Sequence, residues 1–235
     1  MTLHIGIVGC SAEGAALCYR TICTEGAKLL GRHAHPEVSM NTPSLADYVA
    51  CLDRGDLQGV GELMLASAHK LAKIGADFLI CPDNTIHEAL PLVEPRSPLP
   101  WLHIAEVVVA EAVDRGFRTL ALSGTRRLVD SDVYPEKLTA RGLAFLRPDP
   151  PERDEINRII MEELVDGTFK PEAIAYVQRV TDRLKRAGCD AMILGCTELP
   201  LIIDDTKSSL PTLDSTRLLA RAALRRAIRA DPSTG

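Results

Sequence analysis

Two segments of this chain match each other without a gap, and this match constrains the fold more than any other feature. Residues 75–85, GADFLICPDNT, align with residues 188–198, GCDAMILGCTE. Each copy begins with Gly-x-Asp, continues as a short apolar run and then presents Asp83 or Cys196. A short apolar run after a glycine-ended helix is typical of a buried parallel strand. Both side chains are therefore expected at the carboxyl ends of strands, where α/β folds place their sites.

Segments typical of strands and helices alternate along the chain, which indicates an α/β fold. With the internal match, this predicts two pseudo-symmetric doubly wound lobes, each with a mostly parallel sheet flanked by helices, and a site in the cleft between them. The first lobe is expected at residues 1–103 plus 214–235 and the second at 104–213. The polar tail at 231–235 is expected to be frayed.

The pattern predicts eight strands and six helices. The strands are expected at 3–8, 38–41, 78–81, 101–103, 119–122, 144–147, 191–194 and 212–213. The helices are expected at 14–30, 57–74, 104–115, 154–165, 171–187 and 215–228.

Composition excludes several classes of function. A net charge of −5 argues against nucleic acid as the main partner. The sequence has no apolar run of the roughly 20 residues that a membrane helix needs and no basic leader, so a cytoplasmic protein is expected. The seven cysteines are odd in number and lack CxxC spacing, which favours reduced thiols. No metal is expected from the histidine spacing, and no nucleotide from the glycine pattern.

Five motifs carry a resemblance to a known family. They are 194–200 (LGCTELP), 6–9 (GIVG), 82–87 (PDNTIH), 123–125 (SGT) followed by Tyr134, and 214–216 (DST). In these motifs the chain resembles the cofactor-independent aspartate/glutamate racemase superfamily. The resemblance implies an isomerase that works without pyridoxal phosphate or metal, a small amino or carboxylic acid as substrate, and a homodimer. It also implies that one group from each lobe flanks the substrate α-carbon, one removing a proton and the other returning one.

The chain departs from this family at one decisive position. Members usually carry a cysteine in each lobe, whereas this sequence has Asp83 in the first and Cys196 in the second. Cysteine suits proton transfer because its ordinary pKa lies near 8.5. Asp83 could be the second acid/base, could position an amino group or water, or could cap the segment at 85–92. Cys81 shares a strand face with Asp83 and is read as a buried thiol, with catalysis as the alternative.

Further residues are expected around the substrate. The resemblance assigns contact with its carboxylates to Asn84, Thr85 and Thr197, and Lys170 resembles a basic residue near the distal carboxylate. The remaining candidates for substrate contact are Ser11, Thr125 and Glu198, and Ser11 and Thr125 could equally be helix caps. His87 is either an orienter of Asp83 or a partly buried polar residue.

Three functions remain open from the sequence. The first is racemisation of an amino acid by Cys196 and Asp83. The second is a decarboxylase or other lyase of the same fold, in which Cys196 protonates an enediolate from one side. The third is a binding protein without turnover. Leu128 and Leu219 stand where family members often carry polar side chains, which puts a dicarboxylic amino acid in doubt.

Overall fold

The computed structural model describes residues 2–229, and its strands form two four-stranded parallel sheets. The polar tail at 231–235 lies outside the described residues. The first sheet has the order β2-β1-β3-β4 and the second the order β6-β5-β7-β8. The strands are β1 (Ile5–Val8), β2 (Val38–Asn41), β3 (Phe78–Ile80), β4 (Trp101–Leu102), β5 (Thr119–Ser123), β6 (Ala144–Leu146), β7 (Ala191–Leu194) and β8 (Thr212–Asp214). All eight predicted strands are present, and the predicted α/β class is confirmed.

Helices connect the strands, because neighbouring parallel strands can only be joined by crossover connections. They are α1 (Ala12–Leu30), α2 (Leu45–Asp53), α3 (Leu57–Lys73), α4 (Leu90–Val93), α5 (Ile104–Asp114), α6 (Arg126–Asp130), α7 (Pro135–Ala140), α8 (Pro150–Ile159), α9 (Pro171–Arg186) and α10 (Ser215–Arg229). A 3₁₀ turn at Thr85–Ala89 precedes α4, and a π-helical turn at Ile160–Leu164 continues α8. The six predicted helices are all present, and the sequence pattern missed α2, α4, α6 and α7. No helix in the described part of the chain is both long and apolar enough to cross a membrane.

The chain divides into two compact units. One contains the residues up to Val107 together with those from Thr216 onward, and the other runs from Val108 to Ser215. The domain boundaries expected from the sequence, after residues 103 and 213, stay a prediction.

The first sheet is covered on both faces. On one face β1 and β3 pack through Ile5, Ile7 and Phe78 against α1 and α10. On the other face Val8 and Leu79 pack against α2, α3 and α4. This alternation follows from the two-residue period of strands and makes the first unit doubly wound.

The second unit has a corresponding core on one face of its sheet. Met192 and Leu194 of β7 pack there against side chains of α8 and α9. Cys196 belongs to the same apolar cluster, so the residue expected to carry chemistry extends directly from the core.

The internal match explains how both central strands begin. Gly75 and Gly188 end the preceding helices with φ of 91° and 103°, a left-handed conformation that favours glycine. The aspartate two residues later accepts backbone hydrogen bonds from the neighbouring strand. Asp77 accepts from the His4 N–H at 2.7 Å, and Asp190 accepts from the Arg118 N–H at 2.7 Å and the Thr119 N–H at 3.1 Å.

Candidate active site

Cys196 lies two residues beyond β7, where the strand leaves the sheet. Its side chain is buried, and its thiol donates a hydrogen bond of 2.9 Å to Oε2 of Glu198. The Thr197 hydroxyl donates to the same oxygen at 2.7 Å. Thr197 and Glu198 are themselves buried, so the three consecutive side chains form a compact hydrogen-bonded group. A carboxylate oxygen that accepts from a thiol is placed to take or return its proton.

Close packing of backbone fixes the position of this thiol. A Cβ on Gly195 would lie 2.8 Å from the Ser123 carbonyl oxygen and 2.5 Å from Cδ2 of Leu128. The Gly195 N–H donates to the same Ser123 carbonyl at 2.8 Å. Gly124 also approaches Gly195, although less closely, because a Cβ on Gly124 would lie 3.2 Å from the Gly195 carbonyl oxygen. Glycine is therefore required at 195 because two strand ends meet there.

A second contact anchors the end of β7. The Ser215 hydroxyl donates 2.9 Å to the carbonyl oxygen of Leu194, the last residue of the strand. Tyr134, which belongs to one of the motifs shared with the family, is hydrogen-bonded to Ser215 and fully buried. Burial raises the pKa of Tyr134 above its ordinary value, so its phenol stays protonated.

Asp83 occupies the equivalent position in the first unit, three residues beyond the end of β3. Its side chain is half-buried, and its Oδ1 accepts a hydrogen bond of 3.1 Å from the Ile86 N–H. This contact caps the 3₁₀ turn at Thr85–Ala89. At equivalent positions of the two units, the Asp83 side chain thus accepts a hydrogen bond, whereas the Cys196 side chain donates one.

Cys81, the alternative thiol of the first unit, is fully buried. Burial, with the nearby charge of Asp83 as a smaller cause, raises the pKa of Cys81 well above its ordinary value. A thiolate is therefore disfavoured at this position, which supports the interpretation of Cys81 as a buried strand thiol.

Tyr48 of α2 is a neighbour of this region that the sequence pattern did not indicate. Its side chain is fully buried in the same apolar cluster as Cys10 and Cys81. Its hydroxyl has no hydrogen-bond partner among the residues that the structure describes. Burial, then the nearby charges of Cys81, Cys10 and Asp83, raise the pKa of Tyr48. No single-sequence signal identifies it, because Tyr48 lies on a short helix with little periodicity.

The other residues expected in the first unit also lie beyond the carboxyl ends of strands in the first sheet. Asn84 is buried and Thr85 half-buried, directly after Asp83. Ser11 follows β1, and its Oγ accepts from the Gly14 N–H at 3.2 Å, which makes it the N-cap of α1. Contact of these side chains with substrate stays a prediction.

Two of the residues expected in the second unit have structural partners. Thr125 is the N-cap of α6, and its hydroxyl oxygen accepts from the Leu128 N–H at 3.4 Å. Lys170 is half-exposed, and its ammonium group lies 3.3 Å from Oε1 of the buried Glu163. Arg158 lies 2.8 Å from the same oxygen, and hydrogen bonds from Arg158 and Lys170 lower the pKa of Glu163.

Within residues 2–229, no group of three or more His, Cys, Asp or Glu side chains is arranged to hold a metal ion. All seven cysteines are thiols in the structure.

Comparison with known proteins agrees with the fold and with the motifs. A family model described as Asp/Glu/hydantoin racemase matches residues 6–223. The broad specificity amino-acid racemase RacX of Bacillus subtilis is 25% identical over 189 residues, which are 79% of this chain and 78% of that protein.

Two crystal structures resemble the chain over nearly its whole length. A proposed Asp/Glu racemase from Yersinia pestis has a TM-score of 0.90 and 28% identity, covering 96% of this chain and 99% of that one. An aspartate racemase homologue from Pyrococcus horikoshii has a TM-score of 0.84 and 27% identity, covering 97% and 100%. Racemases are isomerases, so the enzyme class expected from the sequence is confirmed. The chain belongs to the Asp/Glu/hydantoin racemase family.

Proposed function

We propose that the protein is a cofactor-independent amino-acid racemase that moves the α-proton with Cys196 and Asp83. The observation that carries this proposal is the buried thiol of Cys196 donating 2.9 Å to Glu198 at the carboxyl end of β7. Asp83 supports it, because the same strand register in the first unit places a carboxylate at the corresponding point.

In this proposal, Cys196 is a thiol and Asp83 is a carboxylate before turnover, and the contacts of both groups agree with this. Cys196 donates, as a thiol does, and Asp83 accepts from a backbone N–H, as a carboxylate does. In one direction of the reaction, Asp83 removes the α-proton and becomes a carboxylic acid. The thiol of Cys196 then gives its proton to the opposite face of the carbanion and becomes a thiolate. The reverse direction starts from the thiolate and the carboxylic acid, so each turnover conserves one proton and one negative charge.

Glu198 has a defined part in this scheme. It accepts the hydrogen bond of the Cys196 thiol in the resting arrangement, and it can relay a proton between the thiol and water when the two groups reset between turnovers. Thr197 donates to the same carboxylate oxygen and holds it at the thiol.

The structure also suggests which substrates suit the site. Leu128 is fully buried against Gly124 and Gly195. It stands where family members often carry a hydroxyl residue, so it offers a second substrate carboxylate no hydrogen-bond donor. Lys170 already faces the carboxylate of Glu163, which partly neutralises its charge. We therefore propose amino acids with a neutral side chain, in place of aspartate and glutamate, as the substrates. RacX, one of the relatives, is named a broad specificity racemase.

One observation favours a second function. The hydrogen bond from the Ile86 N–H to Oδ1 occupies part of the Asp83 carboxylate in a capping role. If Asp83 only caps, Cys196 is the single acid/base, and protonation from one face fits a decarboxylase or another lyase. The expected homodimer and cytoplasmic location stay predictions.

The test is α-proton exchange in deuterated water. The protein is incubated with a panel of L- and D-amino acids, loss of the α-proton signal is followed by NMR, and Cys196→Ala is the control. Exchange with inversion supports the racemase. Exchange without inversion favours a single acid/base, and no exchange across the panel contradicts the racemase proposal.

A further inference from the structure

His87 is a buried histidine whose two ring nitrogens both contact backbone. It lies in the 3₁₀ turn that follows Asp83 and is 1% exposed. Its Nδ1 is 2.6 Å from the carbonyl oxygen of Asp83. Its Nε2 is 3.2 Å from the backbone nitrogen of Ile104, the first residue of α5.

These contacts determine the tautomer of His87. The backbone N–H of Ile104 can only donate, so Nε2 accepts and carries no proton. Nδ1 then bears the ring proton and donates to the Asp83 carbonyl, which can only accept. The ring is neutral in this arrangement, and the bond to Asp83 depends on the proton at Nδ1.

The bond acts on the residue that carries the proposed carboxylate. The Asp83 carboxylate is held by the Ile86 N–H, and the Asp83 carbonyl is held by His87. The same ring ties this backbone to the start of α5. Main chain and side chain of Asp83 are therefore restrained from two directions.

The second unit has no counterpart to this arrangement at the equivalent position. In the internal alignment His87 corresponds to Pro200, whose side chain has no polar group. Ile104 corresponds through the strand register to Ser215, which instead bonds to the carbonyl of Leu194. The imidazole thus belongs to the unit that carries a carboxylate in place of a thiol.

We propose that His87 is a positioning residue for Asp83, acting through the Nδ1–H bond to the Asp83 carbonyl. This role rests on the proposed racemase function, in which Asp83 exchanges a proton with the substrate. The Asp83 carboxylate, just before the 3₁₀ turn, reaches the α-carbon in line only if this backbone is fixed. A displacement of about 1 Å can cost on the order of 100-fold in rate.

Two substitutions separate the two contacts of the ring. Asparagine places an amide N–H near the position of Nδ1, so His87→Asn can keep the bond to Asp83. Glutamine places a carbonyl oxygen near the position of Nε2, so His87→Gln can keep only the bond from Ile104. His4→Gln is the matched control, because His4 is a buried histidine at the opposite end of β1 with a side-chain contact to Ser39.

The measurements are kcat, KM, melting temperature and the primary isotope effect with α-deuterated L- and D-substrate. His87→Gln should lower kcat by about 100-fold with a much smaller change in KM. His87→Asn should restore a large part of that loss. The isotope effect should rise for one enantiomer in particular, the one from which Asp83 removes the proton. His4→Gln should leave kcat unchanged.

Four outcomes would overturn the role. Equal loss in the asparagine and glutamine variants would mean that the Nδ1 bond is not what matters. Loss of kcat that only follows melting temperature, including in the His4 control, would make His87 a purely structural residue. A wild-type protein that racemises nothing on the panel would refute the proposed function and His87's role with it, whereas active wild type with fully active variants refutes the role alone.

Discussion

The two units share a framework and differ where the central strand leaves the sheet. The strand order is the same in both sheets. Asp77 and Asp190 both accept backbone hydrogen bonds just before the equivalent strands β3 and β7. Beyond the strand, Asp83 accepts a hydrogen bond from backbone, whereas Cys196 donates one to Glu198. The difference teaches that the repeat specifies where the side chain is presented, while the neighbouring groups specify whether it accepts or donates a hydrogen bond.

Removal of the thiol is expected to have the largest effect. Cys196→Ala should reduce racemisation by about 1,000-fold or more, because general acid–base groups contribute on the order of 10²–10⁴-fold. The fold should persist, since only a sulfur atom is removed, and circular dichroism would check this. Residual activity above about a tenth of wild type would show that the second unit's donor is not the acid/base.

The corresponding change in the first unit keeps the cap and removes the charge. Asp83→Asn retains an oxygen that can accept from the Ile86 N–H, so the turn should hold. Turnover should fall by about 100-fold in both directions, measured by chiral chromatography from each enantiomer.

Asp83→Cys sharpens the same comparison. It makes the two units alike by restoring the cysteine pair of the family, and it should recover activity relative to Asp83→Asn. Full activity in Asp83→Asn would refute the mixed carboxylate–thiol pair.

The shared framework can be tested through stability. Asp190 accepts two backbone hydrogen bonds and Asp77 accepts one. Hydrogen bonds to charged groups contribute about 1.5–3 kcal/mol each, so Asp190→Ala should lower the free energy of unfolding more than Asp77→Ala. Urea denaturation of both variants measures the difference. Equal losses would mean that the second bond of Asp190 contributes nothing.

The smallest effect is expected at Tyr48. Its buried hydroxyl lacks a hydrogen-bond partner within the described residues, which costs free energy in the folded state. Tyr48→Phe should therefore leave the melting temperature unchanged or raise it by a few degrees, corresponding to about 1 kcal/mol. A clear fall in melting temperature would indicate that the hydroxyl is satisfied in solution.

The strands were predictable because they are short continuous apolar runs. The long helices were predictable because their apolar residues recur with the helical period. Four helices were missed for physical reasons. In α2 only Tyr48 is buried, and α4, α6 and α7 have four to six residues, too few for a 3.6-residue period to show. The helix expected from residue 154 begins at Pro150 in the structure. Proline is tolerated in the first turn, and Asp149 with Glu152 forms a capping box there.

The candidate site was predictable in part. The repeat places Asp83 and Cys196 at equivalent strand ends, and the structure has them there. The acceptor role of Glu198 and the two contacts of His87 depend on side-chain directions that no spacing rule supplies. The catalytic roles themselves stay predictions until turnover is measured.

The meeting of backbones at Gly124 and Gly195 has a consequence for protein engineering. Any side chain at 195 would collide with the Ser123 carbonyl oxygen, which is fixed in the backbone, so no substitution is tolerated there. The other neighbour, Leu128, contributes only the tip of a flexible side chain, which can shift or be shortened without moving the backbone. A library that aims to change substrate scope without disturbing the thiol should therefore fix positions 124 and 195 and vary 128.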